Sequence, residues 1–417
     1  MNLPQTLLII GYVWPEPNSS AAGRRMMQLI DLFKRQQYRI IFASPASDSE
    51  YSIAFDQHQI EKVFIQLNDS SFDTFIISLN PSVVMFDRFM MEEQFGWRVA
   101  KYCPEALRIL DTEDLHFLRQ ARQQAFKENR ETLAKDLYSD MAKREIASIY
   151  RCDLSLIISE FEMNLLVDEF QVNKDLLIYF PLLFEPINQK HIDELPVFEQ
   201  RKDFIFLGNF LHEPNWNAVL FLKEKIWPIL NKKLPHATLQ IYGAYPSQKV
   251  FALQNIKERF VIRGRAESSS EVFKQARVIL VPVQFGAGLK GKLLEAMTYG
   301  TPSITSTLGA EGIPGNLDWP GAIENDIHRF VDAAAQYYEN KSDWQKAQQI
   351  GFNIINSRFN PGFHESNFEK VLVQVQNNLE MHRHQNFTGA MLLHHTMAST
   401  KYLSKWIEEK NKKPPAD

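Results

Sequence analysis

Apolar residues fall in short runs, separated by longer amphipathic stretches, along almost the whole chain. Residues 6–11 (TLLIIG) make the first run and lead into a loop rich in Pro, Asn, Ser and Gly. A helix is expected over about 23–36, where Met27, Ile30, Leu32 and Phe33 can face a sheet. Further strands are expected at 39–44, 74–79, 83–87, 106–110 and 154–159. Residues 114–150 are charged and contain neither Pro nor Gly, which predicts helix. Residues 179–199 hold Pro181, Pro186 and Pro196 without a clear period and read as a linker. A second alternation then begins, with strands at 204–208, 238–242, near Val261, 278–283 and 303–306, and a helix from about Asn215. Strands alternating with helices predict an α/β fold with mainly parallel, doubly wound sheets.

The domains expected are 1–183 and 184–384, the latter helical from about 362, followed by a helical tail over 385–417. In that tail Met391, Leu392, Met397, Leu403 and Trp406, with Lys401 and Lys405, suit an amphipathic helix. Docking on the first domain is the favoured role, and weak contact with an anionic membrane surface the alternative. A chain of 417 residues is long for one core and supports two domains. The hydrophobic content of 45% is ordinary for a globular protein, and the net charge of −4 argues against nucleic acid as a partner. Cys103 and Cys152 are the only cysteines and form no CxxC pattern, so neither a disulfide framework nor a zinc site is implied. The first residues lack the basic region and long apolar run of a signal peptide, and no stretch approaches the ~20 apolar residues of a membrane span. A cytoplasmic protein is expected.

The most informative segment is 278–312, VILVPVQFGAGLKGKLLEAMTYGTPSITSTLGAEG. It reads as buried strand, glycine turn with a lysine, helix, Gly-Thr-Pro stop, strand and second glycine loop. Gly286 and Gly288 let backbone N–H groups approach an anion, and Lys290 adds its charge where the helix starts. Order and spacing closely resemble the nucleotide-binding half of group-1 (family 4) glycosyltransferases of the GT-B fold. The matching parts are Pro282, Gly286-Ala287-Gly288-Leu289-Lys290, Leu294-Glu295-Ala296-Met297, Gly300-Thr301-Pro302 and Gly309-Ala310-Glu311-Gly312. One departure is Ala287, where many members carry a glutamate that meets the donor sugar.

The resemblance implies two Rossmann-like domains facing a cleft, and sugar transfer from a nucleoside-diphosphate sugar to a glycan, lipid-linked or other hydroxyl acceptor. Retention of anomeric configuration and the absence of a metal or other cofactor are part of that implication. Lys290 would then neutralise the diphosphate and Glu295 would accept from the ribose hydroxyls. His116, in the loop after the strand at 106–110, would meet the donor sugar or its phosphate. Asp111 and Asp114 either orient the imidazole, bind an acceptor hydroxyl, or cap the following helix. Gly208 and Asn209 stand where relatives place an arginine nearby, so Arg263 or Arg265, flanking Gly264, would help Lys290. Gly23 and Arg24 at the first helix, and Asp87 after a strand, are candidates for the acceptor side. A GT-B nucleotide-sugar epimerase and a noncatalytic sugar-nucleotide or glycan-binding protein are the competing readings.

Overall fold

The computed structural model describes residues 5–412, the side chains of 395–397 excepted. Residues 413–417 of the expected tail, and the Met397 side chain, lie outside the described residues. The first sheet has seven parallel strands: β1 (Thr6–Ile10), β2 (Arg39–Ser44), β3 (Glu61–Phe64), β4 (Val83–Asp87), β5 (Leu107–Asp111), β6 (Leu154–Ile157) and β7 (Leu177–Tyr179). Their order is β3-β2-β1-β4-β5-β6-β7. The second sheet has six: β8 (Lys202–Leu207), β9 (Leu239–Tyr242), β10 (Phe260–Gly264), β11 (Ala276–Val281), β12 (Ser303–Thr305) and β13 (Gly321–Ile323), in the order β10-β9-β8-β11-β12-β13. All of these pairings are parallel as well.

Every residue of β1, β4, β5 and β6 is buried, as strands covered by helices on both faces must be. Helix α1 (Ala21–Arg35) starts at Ser20, whose hydroxyl accepts from the Gly23 N–H at 3.0 Å. Its residues Met26, Leu29, Ile30 and Phe33 pack on the β1 side of the sheet.

The strand expected at 74–79 is helix α2 (Ser71–Leu79). Its apolar residues Phe72, Phe75, Ile76 and Leu79 repeat at helical spacing and turn one face onto the sheet. A short apolar run does not by itself separate a buried strand from a buried helix. Strands β3, β7 and β13 went unforeseen because each lies at a sheet edge, with only three or four residues.

The chain crosses to the second sheet after β7 and later returns. Helix Pro361–Asn377 places Phe368, Leu372 and Val375 in the same core as Leu7, Leu29 and Phe33. The last helix, Phe387–Asn411, lies on α3 (Phe89–Tyr102) and on helix Asp140–Arg151. There Asn386 donates to the Tyr150 carbonyl at 2.7 Å, and Arg98 donates to the buried Ser404 hydroxyl at 3.2 Å. Arg383 clamps this return to the sheet. It donates to the buried Asp153 carboxylate at 2.7 and 2.8 Å and to the Ala106 carbonyl at 2.8 Å. Among the described residues no helix is long and apolar enough to cross a membrane.

The Arg383 clamp has a direct test. Arg383→Ala should cost about 2 kcal/mol, since the charged hydrogen bonds are lost while Asp153 keeps Arg108. Hydrogen exchange should quicken selectively over 379–411. Unchanged protection in that segment would show that the apolar packing alone holds the return.

Candidate active site

In the first sheet the strand order reverses between β1 and β4, and in the second between β8 and β11. Ligands of such sheets bind beyond the carboxyl ends of the strands at this reversal. The two reversal points face each other here, joined by polar contacts across the cleft. The Tyr245 hydroxyl donates to the Glu16 carboxylate at 2.8 Å, and Arg24 donates to Glu295 at 3.0 Å. Arg122, from α4 (His116–Lys127), donates to the Gly286 carbonyl at 2.9 Å and to both Glu311 oxygens at 2.8 Å.

The loop after β11 carries the lysine. Gly288 has φ +64°, and a Cβ there would sit 2.8 Å from the Asp114 Cβ, so a side chain would wedge the two domains apart. Gly286, at φ +146°, supplies the other unusual backbone turn. Lys290 begins helix Gly291–Thr298 and is 9% exposed. Its ammonium donates to the Gly288 carbonyl at 2.9 Å and to Ala287 at 3.4 Å. Burial lowers its pKa, opposed by the nearby carboxylate of Glu311. Leu289 is buried, and Ala287 packs against the core of the first domain.

Lys292 was not foreseen as a site residue. It donates to Asn215 at 2.6 Å and stands 4.4 Å from the Phe206 ring centroid. Burial, with Lys290 nearby, pushes its pKa down to about 7. Gly208 makes room for it, because a Cβ at Gly208 would lie 2.7 Å from the Lys292 ammonium. The Asn209 carbonyl accepts from Asn215 at 2.9 Å, so Gly208, Asn209 and Lys292 converge on that one amide. Gly264 closes β10 at φ +72°. Arg263 is exposed and donates to Gln240 on β9 at 3.0 Å, which ties it to the sheet face instead of the lysine loop. Arg265 lies over the Tyr51 ring at 4.5 Å. Glu295 is 6% exposed and already accepts from Arg24 and from the Ser269 hydroxyl.

On the opposite wall, Asp87 and Asp111 are register partners at the ends of β4 and β5. Asp111 is fully buried and ion-paired with the equally buried Arg25 at 2.9 Å. One Asp87 oxygen accepts from the Tyr12 N–H at 3.0 Å and from Arg88 at 3.3 Å; the other has no partner. Burial raises the Asp87 pKa, against the pull of Arg88. Glu113 follows at φ +61°, and burial together with Asp111 pushes its pKa up to about 8. For Asp114 burial acts upward as well, but Arg119 and His116 outweigh it and hold the carboxyl down at about 2.

His116 starts α4 at 9% exposure, with its ring edge on Phe89 at 5.5 Å between centroids. Its Nδ1 lies 3.0 Å from the Asp114 carbonyl. A carbonyl only accepts, so Nδ1 carries the proton and Nε2 is the end left for a ligand. Two buried carboxylates from distant helices hold this helix start. Glu145 accepts from His116 N–H at 3.1 Å and Phe117 N–H at 3.0 Å, and Glu162 accepts from Leu115 N–H at 3.1 Å. The same Glu162 oxygen reaches across the cleft to the Gly288 N–H at 2.9 Å, while its second oxygen has no partner. Burial and Asp114 push the Glu162 pKa up to about 7.

Of the expected site residues, the structure links His116, Asp114, Gly288 and Lys290 through successive contacts, and Arg24 pairs with Glu295 across the cleft. Gly23 lies in α1 with its N–H taken by Ser20. Glu162, Glu145 and Arg122 were missed because their partners lie far along the chain, and Glu113 because its shift depends on burial. Among the described residues no group of three or more His, Cys, Asp or Glu is placed to hold a metal ion.

Residues 201–340 match the family model described as glycosyl transferases group 1. A Klebsiella pneumoniae protein known as an uncharacterized 44.6 kDa protein in the cps region is 22% identical over 162 residues, 37% of this chain and 42% of that relative's length. Among solved structures, sucrose-phosphate synthase from Thermosynechococcus elongatus superposes with a TM-score of 0.65 at 14% identity, over 89% of this chain and 99% of that one. HepE of Anabaena, solved with UDP and glucose, superposes at 0.63 with 12% identity, over 88% and 99%. The chain thus has the GT-B fold, and residues 201–340, which contain its second sheet, match the model for group 1 glycosyl transferases.

Proposed function

We propose that this protein transfers a sugar from a nucleoside-diphosphate sugar to an acceptor hydroxyl, with retention of anomeric configuration and without a metal ion. The observation that carries the reading is the Gly286–Lys290 loop, at the reversal point of the matched domain and against Asp114, two residues before His116. In such a transfer, negative charge grows on the departing diphosphate, and catalysis requires donors already aimed at it. Lys290, Lys292 and the loop N–H groups would meet that charge. His116 would present Nε2 to the sugar or its phosphate. Glu295 would accept from the ribose once Arg24 and Ser269 release it. Retention and independence of metal follow the resemblance of segment 278–312; an NMR assignment of the product anomer and a chelator control test them. One observation favours a second reading, a noncatalytic sugar-nucleotide-binding protein: Ala287 offers no carboxylate to a donor sugar. Binding without turnover would select it.

A thermal-shift panel of nucleoside diphosphates comes first, starting with UDP, which the HepE structure contains. A ligand at a hundred times its Kd adds about 2.7 kcal/mol to the native state. Lys290→Ala should weaken diphosphate binding about 10- to 100-fold, the worth of a charged hydrogen bond, while keeping the native melting profile. Equal binding by both proteins would remove Lys290 from the donor site.

Glu162 provides a test by pH. Its folded pKa of about 7 exceeds its ordinary value of 4.5, so between those pH values the folded chain keeps a proton that the unfolded chain releases. Stability contributed by this group therefore falls as pH rises through that window. Glu162→Gln should gain on the native protein by up to about 3 kcal/mol between pH 4.5 and 7.5. Parallel stability curves would mean that Glu162 ionises normally in the fold.

A further inference from the structure

Between the two reversal points lies a cavity of about 250 Å³. It is lined from the first domain by Trp14, Glu16, Asp87, Arg88 and Glu113, and from the second by Asn209, Leu211 and Tyr245. We propose that this cavity seats a single uncharged, hydroxyl-bearing ring, a neutral sugar or cyclitol, as the acceptor, with Asp87 accepting a hydrogen bond from one of its hydroxyls. The inference rests on the glycosyl-transfer reading above and narrows its acceptor.

Three observations carry it. The first is an unmet hydrogen bond. Asp87 is 4% exposed, and one of its carboxylate oxygens has no partner although the residue lines the cavity. Buried polar atoms are almost always paired, and a ligand hydroxyl supplies the missing donor.

The second is charge. The lining holds three carboxyl groups, Glu16, Asp87 and Glu113, against one guanidinium, Arg88. That guanidinium is already engaged, donating to Asp87 at 3.3 Å and lying over the Tyr12 ring at 5.3 Å. A phosphate or carboxylate entering here would meet Glu16 and Asp87 and no unpaired cation. The Glu113 carboxyl, protonated near neutral pH, adds a hydrogen-bond donor suited to a hydroxyl oxygen.

The third is size and surface. The volume falls below the roughly 300 Å³ at which pockets for drug-sized ligands begin, which suits one ring. Trp14 and Met26 give it apolar walls, and the Trp14 indole N–H is already bound to the Ala46 carbonyl at 2.9 Å. Polar groups placed among apolar walls recognise a molecule that is hydroxylated at its edges and apolar on its faces.

Saturation-transfer NMR on the full chain tests this, with methyl α-glucoside, myo-inositol, glucose 6-phosphate and glucuronate as probes, in the presence of the nucleoside diphosphate that gives a thermal shift. A neutral probe should bind at least about tenfold more tightly than the charged pair. Asp87→Asn should lower that binding about tenfold while the nucleotide shift persists. If Asp87→Asn does not fold, Glu16→Gln at the rim replaces it, and glucose 6-phosphate binding should rise severalfold. Preference for a charged probe, insensitivity to both substitutions, or no binding of any probe by a protein that binds nucleotide would overturn the proposal. Failure of every nucleotide to shift the melting temperature defeats the donor reading instead, and the probe comparison is then made without nucleotide.

Discussion

The ion pair between Arg25 and Asp111 organises the first domain. Both side chains are fully buried, 2.9 Å apart, and Arg25 also donates to the Phe180 carbonyl. Three parts of the chain are fixed to one another by this contact: α1, the end of β5, and the segment where the chain leaves the first sheet. Removing one member of such a pair leaves an uncompensated buried charge and typically costs about 3–5 kcal/mol. The loop that carries Glu113, Asp114 and His116 starts at Asp111, and Arg24, which reaches Glu295, precedes Arg25 by one residue. Local packing thereby sets the distance between the walls of the cleft.

The cleft walls are held together by hydrogen bonds that a ligand must replace. Glu162 occupies the Gly288 N–H, Arg24 and Ser269 occupy Glu295, and Arg122 occupies Glu311. A diphosphate arriving at the lysine loop exchanges one acceptor for another at the same N–H. The exchange lowers net affinity, because breaking the internal hydrogen bond offsets part of what the ligand's own bond contributes. It also means that the backbone donors are already oriented when the ligand comes. The Asp114–Arg119 pair beneath His116 is not part of this exchange and keeps the histidine's carbonyl partner in place.

Much of this was legible from residue order. The buried strands announced themselves as apolar runs, and the Gly286–Lys290 loop announced an anion site through glycines and a charge at a helix start. What escaped was of two kinds. Edge strands such as β3 bury too little to leave an apolar run, and α2 concealed its helical period in six residues. Glu145 and Glu162 looked like ordinary helix carboxylates, since nothing local marks a side chain whose partners lie 28 to 126 positions away. Lys292 carried a faint signal, a second lysine two positions beyond the first, but its burial depends on Gly208 and Asn215 far upstream.

The return of helix Pro361–Asn377 to the first core has a consequence for how the protein comes into being. Phe368 and Leu372 complete a cluster begun by Leu7 and Leu29, so β1 and α1 wait for residues 361–377. On a ribosome, domains ordinarily fold in the order in which they emerge. Here the second unit can close while the first still shows an open apolar seam to its surroundings. The nascent chain is thus most vulnerable to misassociation until residues 361–377 have emerged, and a fragment truncated ahead of residue 361 would keep that seam permanently exposed.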